Sequence, residues 1–193
     1  MRITVLGGAG KMGCISVQDL VNDPRVHQVV IADTRPDQAK IVADTLNSPK
    51  IEIRIVDPKS PDGYAQALKG SDACVNATIR HTNVPVMKAC LETGTNYTDM
   101  GGLFFVTQKQ LELHDQFVEA GLSAVLGMGS APGIPNIQAR YAADRLDTID
   151  TIRIYDGIKP PPPNDVRFTY SVPTIVDELT LEPMVYRDGA FKA

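Results

Sequence analysis

Short apolar runs alternate with longer amphipathic stretches along most of the chain. Runs rich in β-branched residues predict six strands, at residues 2–7, 28–32, 51–56, 73–77, 96–98 and 123–126. Sequence typical of a helix follows each run. Since strands that are apolar on both faces need helices on both sides, the pattern predicts a doubly wound parallel α/β sheet of the Rossmann type over residues 1–146.

Capping and turn residues mark the ends of the helices between these strands. Four such helices are predicted, over residues 11–21, 61–70, 83–94 and 106–121. The second helix is expected to start at Pro61, because proline at the first helical position loses no needed hydrogen bond. Ser60, just before it, is expected to cap the amino end. Gly70, Gly94 and Gly121 are expected to end their helices in the left-handed conformation.

The pattern changes after residue 146. Strand candidates at 151–155, 166–171 and 184–186 and a short helix at 173–179 surround a stiff tetraproline segment at 160–163. Residues 147–193 are too few to bury a stable core of their own. They are therefore expected to begin an incomplete, mixed α+β second domain for substrate binding or dimerisation.

Composition narrows the class of protein. The chain has 193 residues, 43% hydrophobic and 22% charged, which is typical of a globular protein. The net charge of −4, without a basic block, argues against a nucleic-acid or membrane partner. A strand at the start of the sequence argues against a signal peptide, so a cytoplasmic protein is expected. The thiols Cys14, Cys74 and Cys90 have no metal-site spacing and are expected in the core.

A glycine pattern, Gly-x-Gly-x-x-Gly, follows the first predicted strand at Gly8, Gly10 and Gly13. Such glycines allow a tight turn, close approach of a pyrophosphate, and close packing of helix on strand. An acid, Asp33, ends the second strand about 20 residues further on, as dinucleotide-binding units require. This context favours cofactor binding over a purely structural turn.

The acid also bears on which cofactor binds. A carboxylate at Asp33 would accept hydrogen bonds from ribose hydroxyls and repel a 2′-phosphate, which favours NAD. Arg35 could instead pair with such a phosphate, so NADP stays open, as does a solvated loop charge. The expected cofactor-binding residues are Gly8, Ala9, Gly10, Lys11, Met12, Gly13, Asp33, Thr34, Arg35, Asn76, Ala77 and Thr78.

Ligands of open α/β sheets lie beyond the carboxyl ends of the strands. The catalytic candidates there are His81, Tyr97 and Asp99, and the substrate-binding candidates are Gly101, Gly102, Pro132 and Gly133. Histidine exchanges protons near neutral pH, but His81 also fits a surface loop. Asp99 would either orient a substrate ammonium or anchor its own loop. The turn at 128–136 would either contact the nicotinamide end of the cofactor or form a rigid junction.

Six segments together resemble the saccharopine dehydrogenase-like family, which includes saccharopine reductases, lysine 6-dehydrogenases and carboxynorspermidine dehydrogenases. They are VLGGAGKMG at 5–13, IADTR at 31–35, VNAT at 75–78, NYTDMGG at 96–102, GMGSAPGIPN at 127–136 and SVPTIVDELTLEPMVYRDGAF at 171–191. The first is common among Rossmann proteins. The later segments are more specific, and together they cover nearly the whole chain.

The resemblance implies an NAD(P)-dependent oxidoreductase that acts on the carbon–nitrogen bond of an amino acid, most closely of the lysine 6-dehydrogenase type. Hydride transfer to the nicotinamide would give an imine, which water hydrolyses. Family members are longer, so the chain is expected to be an amino-terminal part of a protein that is a homodimer at full length. Arg80, Arg153 and Arg167 are available for a substrate carboxylate. Two alternatives remain: a non-catalytic dinucleotide sensor or scaffold, and an oxidoreductase for a substrate other than an amino acid.

Overall fold

The computed structural model describes residues 1–155, 157, 172–182 and 184–192, which belong to two compact units, Met1–Ile149 and Asp150–Ala193. The expected proline segment at 160–163 and strand at 166–171 lie outside the described residues. Six strands of the first unit are β1 (Arg2–Leu6), β2 (Gln28–Asp33), β3 (Ile51–Ile55), β4 (Ala73–Asn76), β5 (Asn96–Asp99) and β6 (Ala124–Val125).

These six strands form one parallel sheet in the order β3-β2-β1-β4-β5-β6. The order reverses between β1 and β4, which pair with Ile3 opposite Ala73 and Leu6 opposite Asn76. This is the strand order of a Rossmann sheet, so the predicted doubly wound α/β class is confirmed. The crevice expected at such a reversal lies at the carboxyl ends of β1 and β4.

Helices cover both faces of the sheet. They are α1 (Gly13–Asn22), α2 (Pro36–Leu46), α3 (Gly63–Leu68), α4 (Asn83–Thr93), α5 (Phe104–Leu111) and α6 (His114–Glu119). A further helix, α7 (Ile134–Ala143), follows β6 and has no buried residue. Alternate strand residues belong to different core clusters: Val5 packs with Val17 of α1, whereas Leu6 packs with Leu68 of α3 and Val86 of α4. The clusters explain why the central strands are apolar at every position.

Two predicted helices differ from the structure. The helix expected to start at Pro61 begins at Gly63, and Ser60 does not cap it; the Ser60 carbonyl instead accepts the Gly63 N–H in a preceding turn. The single helix expected over 106–121 is two helices, because Leu113 leaves the helical conformation with ψ near 2°. Leu113 and Phe117 are nevertheless both buried, so the apolar face continues across the break.

The second unit contains α8 (Val172–Thr180) and an antiparallel hairpin of β7 (Val185–Arg187) and β8 (Ala190–Lys192). The helix predicted at 173–179 and the late strand are confirmed. At the hairpin turn Asp188 and Gly189 have φ of 53° and 75°, as a two-residue hairpin loop requires. The strand expected at 151–155 is wrong: these residues are exposed and pair with no described strand, and alternation alone does not hold a strand without a partner.

Replacing Leu68 by Ala is expected to lower the free energy of unfolding by about 3 kcal/mol, because a fully buried leucine loses its contacts and leaves a cavity. Leu68 is 0% exposed, whereas Leu111, at the end of α5, is 59% exposed and serves as the control. Leu111→Ala should change stability by less than about 0.5 kcal/mol. Urea titration followed by circular dichroism measures both, and equal losses would contradict this account of the core.

Candidate functional site

The glycine loop joins β1 to α1 at the carboxyl edge of the sheet. Gly7 has a φ of 73°, and a Cβ there would lie 2.9 Å from Cγ2 of Thr78, just beyond β4. A Cβ on Gly13 would lie 2.1 Å from the Gly7 carbonyl oxygen. Glycine is therefore required where the loop closes on itself and where it approaches β4. The predicted pattern began at Gly8, although the left-handed residue is its neighbour Gly7.

Backbone donors of this loop point to an anion site. The Gly10 N–H donates to the Gly7 carbonyl (2.8 Å), and the Cys14 N–H donates to the Gly10 carbonyl (3.0 Å). Between them, the N–H groups of Lys11 and Met12 donate to no described residue, and both residues are exposed. Free N–H groups at the amino end of a helix, with its partial positive charge, are suited to phosphate. The loop thus fits the pyrophosphate of a dinucleotide.

Asp33 lies at the end of β2 beside this loop, with its side chain 4% exposed. Its Oδ2 accepts the Ala9 N–H (3.0 Å), and its Oδ1 accepts the Arg35 N–H (3.1 Å) and Nε (3.0 Å). Burial opposes ionisation of Asp33, but the bonds from Arg35 and Ala9 outweigh it and hold the pKa of the carboxyl below its ordinary value. The carboxylate thereby fixes both the glycine loop and the arginine.

A groove of about 410 Å³ opens between these elements; we call it the first groove. Six of the predicted cofactor residues line it: Gly10, Asp33, Thr34, Arg35, Ala77 and Thr78. Gly8, Ala9, Lys11, Met12 and Gly13 lie in the adjoining loop. Asn76 is different, because it is 1% exposed and lies beneath the groove wall.

Sequence reasoning missed further residues of the first groove: Leu6, Gly7, Ala32, Val56, Pro58, Tyr64, Ile79 and Thr82. Val56 and Pro58 follow β3, so the strand-end rule that selected later residues would have found them. Tyr64 on α3 carried no comparable signal. Burial raises the pKa of its hydroxyl. Val56, Pro58, Tyr64 and Ile79 give the groove an apolar wall, and Val56 directly adjoins the Asp33–Arg35 pair, since its N–H donates to the Asp33 carbonyl (3.0 Å).

The predicted catalytic residues Tyr97 and Asp99 lie inside the fold, 3% and 2% exposed. Asp99 Oδ2 accepts the Tyr97 hydroxyl (2.9 Å) and Nε2 of Gln110 (2.7 Å). Its Oδ1 accepts the backbone N–H groups of Gly101 and Gly127, both at 2.8 Å. Four bonds occupy the acceptor sites of a carboxylate. This geometry favours the loop-anchoring alternative for Asp99.

Asn76 and Asn83 extend these contacts into what we call the buried polar network: Asn76, Asn83, Tyr97, Asp99 and Gln110. Asn76 Nδ2 donates to the Tyr97 hydroxyl oxygen (3.2 Å) and to Oδ1 of Asn83 (3.1 Å). Asn83 Nδ2 in turn donates to Oε1 of Gln110 (3.3 Å). Burial and the nearby Asp99 charge raise the pKa of Tyr97 far above its ordinary range, so its hydroxyl is a fixed donor.

The remaining catalytic candidate, His81, is exposed in a short 3-10 helix, Arg80–Thr82. Its neighbours Ile79 and Thr82 line the first groove, but His81 is not among the lining residues. Of the arginines considered for a substrate carboxylate, Arg80 is partly buried and Arg153 exposed, while Arg167 lies outside the described residues. The structure therefore brings no predicted acid–base side chain to a groove surface among the residues it describes.

A second groove, of about 490 Å³, lies beyond the carboxyl ends of β5 and β6. The predicted substrate residues Gly102, Pro132 and Gly133 line it, and a Cβ on Gly101 would lie 2.8 Å from Cγ of Pro132. Its other lining residues are Phe104, Thr107, Leu126, Gly127, Met128, Asn136 and Ile137. None of these described residues is ionisable. The second groove is suited to an uncharged or apolar part of a ligand.

Cys74 and Cys90 are fully buried, as expected, and burial raises the pKa of the Cys74 thiol. Cys14 is partly exposed, because it lies in the first turn of α1, where its thiol donates to the Lys11 carbonyl. Across the described residues there is no group of three or more metal-ligating side chains. No helix in the same part of the chain is long and apolar enough to cross a membrane.

Known proteins share this fold. The saccharopine dehydrogenase (L-Glu forming) of Saccharomyces cerevisiae superposes with a TM-score of 0.64 at 19% identity, over 75% of this chain and 31% of that one. A triphenylmethane reductase of Citrobacter sp., complexed with NADP(H), superposes with a TM-score of 0.52 at 17% identity, over 65% and 48% of the two chains. At these identities the likeness concerns the fold alone.

Curated proteins also match the sequence over most of this chain. Carboxyaminopropylagmatine dehydrogenase of Synechocystis sp. is 26% identical over 165 residues, 81% of this chain and 42% of that protein. Carboxynorspermidine synthase of Vibrio cholerae is 24% identical over 181 residues, 81% and 44% of the two chains. The chain thus spans less than half the length of these curated relatives.

Fold and glycine loop define a dinucleotide-binding domain of the Rossmann class. The family described as saccharopine dehydrogenase NADP binding domain matches residues 3–125, and the chain belongs to this family. The resemblance inferred from the six sequence segments is thereby confirmed, and so is the expectation of a nicotinamide dinucleotide cofactor.

Gly13→Ala is expected to lower the free energy of unfolding by about 3 kcal/mol or more, since the new methyl group would collide with the Gly7 carbonyl. Gly94→Ala is the control: its φ of 68° is strained for alanine, but no described atom lies within 4 Å of the added carbon. That control should cost about 1 kcal/mol. Thermal and urea unfolding compare the stabilities of the two variants. A Gly13 variant as stable as the control would contradict the prediction, because the loop would then rearrange to accept the methyl group.

Proposed function

We propose that this chain is the cofactor-binding part of an NADP-dependent oxidoreductase that acts on a carbon–nitrogen bond of a carboxylated amine. The observation that carries the proposal is the arrangement at the β1–β4 crevice. There a glycine loop with free N–H groups and an Asp33–Arg35 pair share one groove. The names of the two curated relatives support an amine substrate, with saccharopine and lysine as members of the same chemical class.

Three parts of a dinucleotide find matching chemistry along the first groove. The pyrophosphate would bind at the glycine loop, where the N–H groups of Lys11 and Met12 are free of described partners. The adenine ring would lie against the apolar wall that includes Val56 and Tyr64. Its ribose would then reach the Asp33–Arg35 pair. We assign Gly8 and Gly10 to the close approach of backbone and phosphate, and Gly13 to the closure of the loop on Gly7 that shapes the phosphate site.

The Asp33–Arg35 pair supports NADP rather than the NAD expected from the acid alone. Asp33 already accepts bonds from Ala9 and Arg35, which leaves it little capacity for ribose hydroxyls. Arg35 neutralises the charge that would repel a 2′-phosphate. Its side chain is also 54% exposed at the groove, where its guanidinium can meet a phosphate.

When bound, the cofactor supplies hydride transfer, and the protein supplies orientation and electrostatics. The second groove would hold the substrate near the nicotinamide, with Gly102, Pro132 and Gly133 in contact. Asp99 and Tyr97 would hold the surrounding loops in place rather than exchange protons with the substrate. His81 remains the proposed proton-transfer group, since it is exposed and its neighbour Arg80 adjoins the second groove, where a Cβ on Gly102 would lie 3.4 Å from Cβ of Arg80.

A non-catalytic dinucleotide sensor is the second candidate. It is favoured by one observation: no described residue that lines the second groove is ionisable. The two candidates differ in one property, since only the oxidoreductase reduces NADP when a carboxylated amine is added. Cofactor reduction by the full-length protein, followed with saccharopine, lysine and hydroxy compounds, separates them and also separates amine from hydroxyl substrates.

Calorimetric titration with NADPH and NADH in parallel tests the cofactor assignment. Arg35→Ala should weaken NADPH binding about tenfold or more, because a charge-assisted contact to the 2′-phosphate is lost, while NADH changes by less than about twofold. Arg25→Ala is the matched control, because Arg25 also pairs with an aspartate two residues earlier, Asp23. Arg25 lies before the amino end of β2, whereas the first groove lies at the carboxyl ends of the strands.

Each outcome of that titration is informative. Equal weakening of NADH and NADPH in Arg35→Ala would mean that the arginine holds Asp33 and the loop without touching a 2′-phosphate. Binding of neither cofactor to the unsubstituted chain would contradict the proposed function. The control should match the unsubstituted chain for both ligands.

A further inference from the structure

The two grooves are joined by a path of hydrogen bonds, buried in its middle, that nothing in cofactor binding alone requires. On the wall of the first groove, Thr78 donates both its N–H (3.2 Å) and its hydroxyl (2.6 Å) to Oδ1 of Asn76. Asn76 Nδ2 donates to the Tyr97 hydroxyl oxygen (3.2 Å). That hydroxyl donates to Asp99, which holds the loop N–H groups of Gly101 and Gly127.

Every donor direction in this path is fixed. A carboxylate only accepts, so Asp99 makes Tyr97 a donor and leaves the phenol oxygen to accept from Asn76. The amide of Asn76 must then turn its nitrogen to Tyr97 and its oxygen to Thr78. If that amide turned over, its bonds to Thr78 and to Tyr97 would both change.

Thr78 itself is exposed, but burial keeps water out of the rest of the path. Asn76 is 1%, Tyr97 3% and Asp99 2% exposed, so a broken bond among them is not replaced by solvent. Hydrogen bonds in such surroundings are stronger than in water, and a lost partner is costly. A movement of Thr78 therefore acts on these buried bonds through its two bonds to Asn76.

The far end of the path lies at the second groove. Gly127 lines it directly, and Gly101 packs against Pro132, another lining residue. A Cβ on Gly129 would lie 2.4 Å from the Met100 carbonyl oxygen, so the loops after β5 and β6 are also in close contact. A shift at Asp99 must move both loops together.

We propose that the Tyr97 hydroxyl couples the two grooves: a ligand that fills the first groove alters, through this hydroxyl, the loops that line the second. This inference rests on the proposed function, because it takes a dinucleotide as the ligand of the first groove. It makes Tyr97 a positioning residue, through which cofactor binding prepares the substrate side of the site.

A cofactor fragment separates coupling from direct contact. ADP-ribose and its 2′-phosphate lack the nicotinamide ring, so they occupy the first groove without extending to the second. We expect titration of the ¹⁵N-labelled chain with either fragment to shift the amide signals of Gly8 and Gly10 at the binding site. The amide signals of Gly101 and Gly127 should shift in the same titration.

Tyr97→Phe removes the hydroxyl and leaves the ring. In this variant the fragment should still shift Gly8 and Gly10, with an affinity about three- to tenfold weaker because Thr78 is less firmly held. The response at Gly101 and Gly127 should be lost. Thr98→Val is the control: it removes a hydroxyl from the same strand that bonds to the Val125 carbonyl (2.9 Å), outside the network, and should keep the full response.

The outcomes separate the two proposals. Shifts at Gly8 and Gly10 without any at Gly101 and Gly127 in the unsubstituted chain would overturn the coupling and leave the proposed function intact. A full response in Tyr97→Phe would overturn the role of the hydroxyl. If neither fragment shifts Gly8 or Gly10, the proposed function fails, and the coupling fails with it. Loss of response in Thr98→Val as well would show a general loosening of β5.

Discussion

The parallel pairing of β1 with β4 is the constraint on which the rest of the site depends. Because neighbours in sequence order, β3 and β4, are separated in the sheet by β2 and β1, the helices that follow β1 and β4 diverge and leave a crevice. The strand ends are so close that a Cβ on Gly7 would strike Thr78 at 2.9 Å. Only a glycine loop fits there, and the same loop exposes the N–H groups suited to phosphate.

A second constraint is that buried carboxylates need hydrogen-bond donors. Asp33 and Asp99 both end strands, both are buried, and each accepts four hydrogen bonds. Their partners differ in kind: Asp33 is paired with a cation at the groove mouth, whereas Asp99 is surrounded by neutral donors. An arginine can be drawn away by a phosphate, but backbone N–H groups and a buried amide cannot follow a ligand. Asp33 is accordingly suited to recognition and Asp99 to support.

Local patterns were sufficient for most of the fold. Apolar runs, the glycine pattern and the acid at the end of β2 are short-range features, and they predicted the sheet, its class and six of the fourteen residues that line the first groove. The break between α5 and α6 was missed because the apolar face continues through it. The strand expected at 151–155 is not formed, because alternating apolar and polar residues specify the two faces of a strand and not the strand with which it pairs.

The role of Asp99 was beyond sequence reasoning for a different reason. Its partners Gln110 and Gly127 are 11 and 28 residues away, and no pattern in the sequence links them to an aspartate at a strand end. A strand-end carboxylate looks the same in the sequence whether it faces a ligand or a ring of donors. What distinguishes the two is whether the following loops can bring N–H groups to it. Here glycines at both positions allow this, since at Gly101 and Gly127 φ is 102° and 70°. The glycines that suggested close approach of a substrate therefore also serve the approach of backbone to carboxylate, and this shapes the second groove.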